Sequence, residues 1–431
     1  MIEWSDTEIM IRDAVREFVD NEIRPHVDEL EHGGLPPYDI IRKFFSSFGV
    51  DAMNRENFKR RIEKVKAREA GADSGQADAG GGISGQEAMA LLAVTEICKV
   101  SMGITAAMGV SVGMAANTIM ARGTVAQQER WALDLLTFDK VGAWAITEPD
   151  AGSDAFGGMH TTVKPDGDGY VLNGQKTFIT NGPYADTVVV YAKLRDPADG
   201  SDVDLRRQPV LTFVLDSGMD GFAQGKPFRK MGIHSSPTGE LFFDDVHLEP
   251  DRMLAGPAAA KGSEAAAGRG SAEGAGSDAG RESARANFVA ERVGVAAMAL
   301  GVIEECLRLC LEYAKNRKLW GQPIADFQLI QLKLAKMEVA RVNVQNMVFR
   351  TVEMARAGKT PTLAEASAMK LYSSEAATEV AMDAVQLFGG NGYMAEYRVE
   401  QLARDAKSLM IYAGSNEVQV THIAKGLLNG G

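Results

Sequence analysis

Five short stretches of the 431-residue chain combine glycine and aromatic residues with hydroxyl or charged groups in patterns able to hold a small molecule. AWAITEPDAGSD, residues 143–154, sets the Thr147 and Ser153 hydroxyls beside Gly152, so one turn offers side-chain and backbone donors together. FITNG, residues 178–182, follows a strand pattern and pairs Phe178 with Thr180. An aromatic face next to a hydroxyl suits stacking on and hydrogen bonding to a planar heterocycle, although a hairpin end has the same composition. NRKLWG, residues 316–321, ends an apolar helical run on Arg317, and FGGNGY, residues 388–393, reads as a Gly-rich turn between helices whose N–H groups fit a phosphate. IYAGSNEVQ, residues 411–419, opens the last helical run, with Ser415 placed to cap it. Each stretch taken alone is equally an ordinary turn.

The elements that must position these turns fall into three parts. From 6 to 141 the pattern is mostly helical: Ile9, Ile11, Val15, Phe18, Val19 and Ile23 recur near helical spacing, and Arg24-Pro25 closes that run. Small apolar residues dominate 91–120, and the basic stretch 59–68 reads as a solvated helix face. From 143 to 250 the texture changes to β-branched and aromatic residues broken by Asp-Gly and Asn-Gly turns, which predicts an all-β part. Helical periodicity returns over 288–316, 324–357, 361–388 and 397–428, the pattern of a bundle of long antiparallel helices. The expected boundaries are 1–141, 142–256 and 257–431. Two stretches, 71–85 and 258–280, lack large apolar side chains, and 18 of the 23 residues in the second are Ala, Gly or Ser. Both read as flexible insertions, with a frayed Ala-rich helix as the alternative for the second.

Composition narrows the chemistry. Lys plus Arg number 46 against 58 Asp plus Glu, a formal charge of −12, so no polyanion-binding surface is expected and nucleic acid is excluded as a partner. A 45% hydrophobic share is enough for sizeable cores. Cys98, Cys306 and Cys310 are too few for a disulfide framework and lack zinc-ligand spacing, so they read as packing residues of a protein in a reducing compartment. No apolar stretch of about 18 residues is evident and the amino terminus lacks a signal or transit pattern, which predicts a cytoplasmic protein without a membrane partner.

The order of the motifs carries more than any one of them. A helical part, TEPDAGSD, a β part containing NGQKTFITNG, long helices, then FGGNGY and YAGSNE resembles the acyl-CoA dehydrogenase family across nearly the whole chain. The resemblance implies an α+β fold: an N-terminal α-helical domain, a β-barrel-like middle domain and a C-terminal α-helical bundle. It also implies FAD at the subunit interface of a homotetramer, an acyl-CoA substrate and an electron-transfer flavoprotein as electron acceptor. By motif, Trp144, Ile146, Thr147 and Ser153 would line the flavin, with Ser153 also touching the thioester. Phe178, where the family more often has Trp, would pack on the isoalloxazine, with Thr180 near its reactive nitrogen. Arg317, Phe327 and Gln328, with Gln386, Leu387, Phe388, Gly389 and Gly390, resemble the groups that hold the diphosphate and adenine across the interface. Leu319 stands where many relatives carry a hydroxyl. Ser415, Asn416 and Glu417 would close over the cofactor, and Tyr412 and Gly414 would border the substrate.

Oxidising an acyl thioester requires removal of an α-proton, a task for a carboxylate whose pKa burial has raised. In many members that Glu follows the Tyr of the IYAGSNE motif, but here the position is Ala413. Glu291, in FVAERVGVAAMALG, matches instead the Glu-Arg pair that supplies the base in the isovaleryl-CoA and long-chain branches. The periodicity starts this helix at Phe288, so a first-turn Glu held by the helix dipole is the competing explanation. The resemblance further gives Ala413 a role through its backbone N–H, which would polarise the thioester carbonyl, and gives Arg292 a contact to CoA or to neighbouring groups, a surface ion pair being its alternative. The same fold also hosts acyl-CoA oxidases, enoyl-CoA reductases and non-catalytic FAD-binding subunits.

Overall fold

The computed structural model describes residues 4–32, 34–69, 83–195, 206, 208–254 and 279–429. The N-terminal part contains α1 (Asp6–Phe18), α2 (Val27–Glu31), α3 (Tyr38–Ser47), α4 (Val50–Glu69), α5 (Ile83–Cys98), α6 (Met102–Met108), α7 (Asn117–Arg122), α8 (Val125–Gln127) and α9 (Leu133–Leu136). Ser5 and Glu8 form a reciprocal capping box that starts α1. The chain does not leave the helical path at Arg24-Pro25 as its sequence suggested. A π-helical turn, Val19–Ile23, and a 3-10 turn, Arg24–His26, carry it into α2, because Pro25 lies in the first turn of the 3-10 segment, where a missing N–H costs nothing. Phe58 and Ile62 are buried under α4 while the basic residues between and beyond them face outward, as a solvated face requires.

A second difference concerns apolar length. Met102–Arg122 runs as one helical path through a π-helical segment, Gly109–Ala116, and it is long and apolar enough by length and composition to cross a membrane. Half of that window is buried inside the protein, against β1 (Gly142–Ala145). Interspersed Gly, Ser and Thr hide this run in the sequence.

The middle part is an open, half-barrel sheet of seven strands: β1, β2 (Thr162–Asp166), β3 (Gly169–Thr180), β4 (Thr187–Leu194), β5 (Val210–Asp216), β6 (Phe222–Gln224) and β7 (Thr238–Leu248). Its order is β1-β4-β2-β3-β7-β6, with β5 antiparallel on β4 and both β1 and β2 parallel to β4. Alternation along each strand splits the side chains between two cores. Ala143, Ala145, Val188 and Val190 fill the inside of the curl, whereas Trp144, Ile146, Val189 and Tyr191 pack outward on the N-terminal helices.

The C-terminal part is a helix bundle: α10 (Ala279–Asn316), a small hairpin of β8 (Lys318–Leu319) and β9 (Gln322–Pro323), α11 (Gln328–Arg356), α12 (Leu363–Phe388), α13 (Val399–Ser408) and α14 (Asn416–Leu428). Three sequence readings change here. The long helix begins at Ala279 rather than Phe288, so Glu291 lies more than three turns inside it and the dipole of the N-terminus does not account for it. The run 397–428 is two helices, broken over 409–415 by two consecutive left-handed residues, Ala413 (φ 57°) and Gly414 (φ 79°). Both insertions also end earlier than read, since 83–85 belong to α5 and 279–280 to α10, and the remainder, 71–82 and 258–278, lies outside the described residues. Cys98, Cys306 and Cys310 are free thiols buried in the bundle core, and burial pushes Cys98 and Cys310 up to about 12, which makes them packing groups.

Candidate active site

One end of the bundle gathers a carboxylate, two cations and a strained turn. Glu291 and Arg292 come from α10, Ser367 and Lys370 from α12, and residues 412–416 from the α13–α14 connection. Glu291 is half-buried at its surface, yet enough protein surrounds the carboxyl to desolvate it. Desolvation raises its pKa to about 7, against the opposing pull of the Arg292 and Lys370 charges. A carboxyl so placed is half-ionised at neutral pH, the condition under which a proton can be both taken and returned.

The turn at this end of the bundle is held by two side chains. Gln419 Nε2 donates to the carbonyls of Ala413 (3.0 Å) and Gly414 (2.6 Å), and Lys370 Nζ donates to the Gly414 carbonyl (2.8 Å) and to Asn416 Oδ1 (2.9 Å). With both carbonyls engaged, the Ala413 N–H has no acceptor among the described residues. Ser415 occupies the N-cap position of α14 as expected, but makes no capping hydrogen bond through its side chain. A Cβ on Gly414 would sit 2.8 Å from Gln419 Nε2 and would force that side chain to shift, and its φ of 79° also favours glycine. Gln419 and Arg292 are the groups that lie nearest to Gly414 on that side. Gly414→Ala is expected to lose about 1–2 kcal/mol of stability in urea unfolding, and Ala413→Gly to gain about 1 kcal/mol. An unchanged midpoint for Gly414→Ala would show that the turn relaxes.

Two further residues of the cluster are held by the bundle. Arg292 is only 2% exposed, so it makes no surface ion pair, and its contacts are to neighbouring groups. Its guanidinium donates to Ser367 Oγ (3.1 Å), meets His422 Nδ1 (3.2 Å) and lies over the Phe288 ring at 5.8 Å, tying α10 to α12 and α14. Tyr412, half-buried, turns its hydroxyl onto Met298 Sδ (3.7 Å) and packs against the bundle core.

The β part brings its two motifs together beside this cluster. The Thr177 N–H donates to the Thr147 carbonyl (2.9 Å), so the TEPDAGSD turn lies against the strand that carries Phe178. Phe178 sits at a register shift in β3 with φ 57° and is 67% exposed, a bulge that aims an aromatic face outward. Thr147 and Thr180 are half-buried and Ser153 is exposed, all available to a ligand. Trp144 and Ile146 are not: both are closed in, and the Trp144 indole donates to Tyr191 Oη (3.2 Å). The Trp144 ring instead meets Phe288 (6.4 Å), one turn before Glu291, and so joins the β part to the base-bearing helix.

Sequence reasoning missed the groups that pin these turns. Glu148 and Lys176 form a fully buried ion pair (2.8 Å), Lys176 also donates to the Ile146 carbonyl (3.0 Å), and Glu148 accepts the N–H groups of His160 and Thr161. Asn181, buried with φ 64°, donates to the carbonyls of Ala107 and Gly142, both at 2.9 Å. The signal for Asn181 was the Asn-Gly pair inside FITNG; nothing in the sequence pairs Glu148 with Lys176.

The remaining motif residues gather at the opposite end of α10. Tyr313 stacks on Phe388 at 4.0 Å, and Asn391 donates to Tyr313 Oη (3.0 Å), bringing FGGNGY to the helix end that precedes Arg317. Arg317, Gln328, Gln386, Gly389 and Gly390 are exposed there and Phe327 is half-buried, whereas Leu387 and Phe388 belong to the core and offer no side chain to a ligand. About 25 residues of helix at 1.5 Å rise put this end about 38 Å from Glu291. One ring system cannot meet both.

The fit of FAD to these residues is chemical. Phe178 offers an open aromatic face bordered by hydroxyls, and the buried Asn416 Nδ2 has no hydrogen-bond partner, a donor left for a ligand's acceptor. A helical part, a curled sheet and a helix bundle around a desolvated carboxyl define a flavin-linked oxidoreductase of the acyl-thioester type. Residues 5–54 and 50–139, 143–246 and 278–428 match the N-terminal, middle and C-terminal domains of acyl-CoA dehydrogenase, and the chain belongs to that family, whose members are FAD-dependent oxidoreductases. It is 34% identical to a short-chain specific acyl-CoA dehydrogenase of Megasphaera elsdenii, covering 96% of this chain and 95% of the relative. The caffeyl-CoA reductase-Etf complex subunit CarC of Acetobacterium woodii is 31% identical, with 99% of both chains covered. The structure of butyryl-CoA dehydrogenase from Megasphaera elsdenii superposes with a TM-score of 0.81 at 32% identity, covering 99% of this chain and 100% of that one.

Proposed function

We propose that this protein dehydrogenates an acyl-CoA thioester between its α and β carbons, with Glu291 as the base. The observation that carries the reading is the desolvated Glu291 carboxyl, poised near pH 7, at the end of the bundle that also holds a left-handed turn whose Ala413 N–H is unengaged among the described residues. Glu291 accepts the α-proton, and the Ala413 N–H bonds the thioester oxygen as enolate charge develops there. Bound FAD supplies the two-electron acceptor for the β-hydrogen, leaving the 2-enoyl thioester. Thr147, Ser153, Phe178 and Thr180 would hold the ring system. Arg317, Phe327, Gln328, Gln386, Gly389 and Gly390, too distant within one chain, would hold the dinucleotide of a second copy.

That division supports a homotetramer, as does α11, which exposes Leu329, Leu332, Val339 and Val342 along its length. Light scattering should give the mass of four chains; a monomeric FAD-loaded protein would overturn the shared-site reading. The Etf named in the Acetobacterium relative's complex supports an electron-transfer flavoprotein as acceptor. Free, buried cysteines support a cytoplasmic, reducing setting.

The same relative favours a second reading, reduction of an enoyl-CoA, in which the protonated Glu291 returns the α-proton. Direction is decided by anaerobic mixing with butyryl-, isovaleryl-, palmitoyl- and cyclohexanecarboxyl-CoA. Bleaching of the flavin by one of them, with slow reoxidation in air, is the expected result. Fast reoxidation would make the protein an oxidase. Bleached flavin that only enoyl-CoA reoxidises would make it a reductase, and a flavin that none of them changes would make it a non-catalytic subunit.

A further inference from the structure

Beside the proposed base lies a buried cation that the proton transfer leaves unexplained. Lys370 on α12 is fully buried, and a buried ammonium is costly unless it is paired. Among the described residues no carboxylate is in ion-pair contact with it. Its protons go instead to the Gly414 carbonyl (2.8 Å) and to Asn416 Oδ1 (2.9 Å), and Ser374 Oγ donates to that same oxygen (3.1 Å). The cation is therefore committed to the turn that carries Ala413 and to the first residue of α14.

We propose that Lys370 is a positioning residue for the reaction, locking the 413–416 turn so that the Ala413 N–H keeps its place opposite Glu291, and favouring the ionised carboxylate by its charge. The proposal rests on the reading of Glu291 as the base. Two adjacent left-handed residues do not hold themselves, and only Lys370 and Gln419 engage the turn's carbonyls among the described residues. Of the two cations whose charge acts on Glu291, Lys370 is the one carried by another helix.

The charges around the pair are few. Glu291 is faced by Arg292 on its own helix, by Lys370 from α12 and by Tyr412 from the turn. Lys370 is faced by Arg292, Glu291, Glu417 and Glu375, and His422 of α14 sits on Arg292. Burial first, then Arg292, brings Lys370 down to about 8, so it is charged through neutral pH, where Glu291 must lose its proton. Removing that charge raises the pH at which Glu291 ionises.

The test uses FAD-loaded protein and whichever of the four thioesters reduces the wild-type flavin. Lys370→Met is expected to lower the limiting rate of flavin reduction about 10-fold and to move its acidic limb up by about one pH unit. Without substrate, its amides over 410–417 should exchange with solvent faster. Lys370→Gln, which keeps a donor and loses the charge, should move the limb by a similar amount even if the Met variant does not fold. A purely structural lysine would lower the rate with the limb unmoved, and that outcome overturns the proposal, as does wild-type behaviour of both variants. If Glu291→Gln keeps the wild-type rate, the base reading itself fails; if Glu291→Gln is inactive while the Lys370 variants keep the wild-type limb, only the role of Lys370 fails.

Discussion

Glu291→Gln is expected to slow reduction of the bound flavin by acyl-CoA about 10²–10⁴-fold, while the purified protein keeps its FAD. The substitution exchanges one carboxyl oxygen for an amide and adds almost no volume. The Arg292 contacts to Ser367 and His422, and the Lys370 and Gln419 bonds to the turn, do not involve Glu291 and stay in place. What is lost is the one carboxyl of the cluster that takes up a proton near neutral pH. Placing a carboxylate on the turn by adding Ala413→Glu to the Glu291→Gln variant is expected to restore part of the rate, since both positions are read as facing the same α-carbon. Undiminished single-turnover bleaching in Glu291→Gln would contradict the assignment, whatever the double variant does.

Glu148→Ala is expected to be the most damaging change for stability, about 3–5 kcal/mol in urea unfolding, because it strands Lys176 as an unpaired buried charge. It also releases the N–H groups of His160 and Thr161, so the turn bearing Thr147 and Ser153 loses its anchor and FAD should be retained poorly. Burial raises the Glu148 carboxyl, but the Lys176 charge and the bonds to His160 and Thr161 outweigh it and hold the pKa below the usual value. The pair's contribution is therefore present at neutral pH and disappears as the pH falls and Glu148 takes up its proton. Replacing both residues, Glu148→Leu with Lys176→Met, should recover much of the loss. Wild-type stability in Glu148→Ala would mean that water reaches the site.

Most of the architecture was legible because each part repeats one period. Apolar spacing marked the helices, β-branched alternation with Asn-Gly and Asp-Gly turns marked the sheet, and the five turns stood where turns are needed. The start of α10 was not legible, because Ala, Gly and Ser before Phe288 give no apolar period, and this placed Glu291 in a first turn that does not exist. The break at 409–415 was hidden because Ala413 carries a positive φ that its residue type disfavours, sustained by the hydrogen bonds of Gln419 and Lys370 and by the Asn416 N–H on the Met410 carbonyl. Long-range pairs were invisible for the same reason. Lys176 alternates along a strand and Lys370 lies in a helix as any solvated lysine would, and only the fold reveals that both are buried. Trp144, Leu387 and Phe388 belong to recognisable motifs, yet the fold also packs their side chains into the core.

The most direct test of Glu291 as the proton acceptor is the pH dependence of flavin reduction by an α-dideuterated acyl-CoA compared with its protiated form. Glu291 must be ionised to act, so the rate should be low in acid and rise through about 7, with a primary isotope effect showing that the α-carbon–hydrogen bond breaks in the measured step. In Glu291→Gln the limb should vanish, leaving a pH-independent rate about 10²–10⁴-fold below the wild-type plateau. An isotope-sensitive rate that is flat across this range, or that keeps its limb near 7 in Glu291→Gln, would contradict the account and place the base elsewhere.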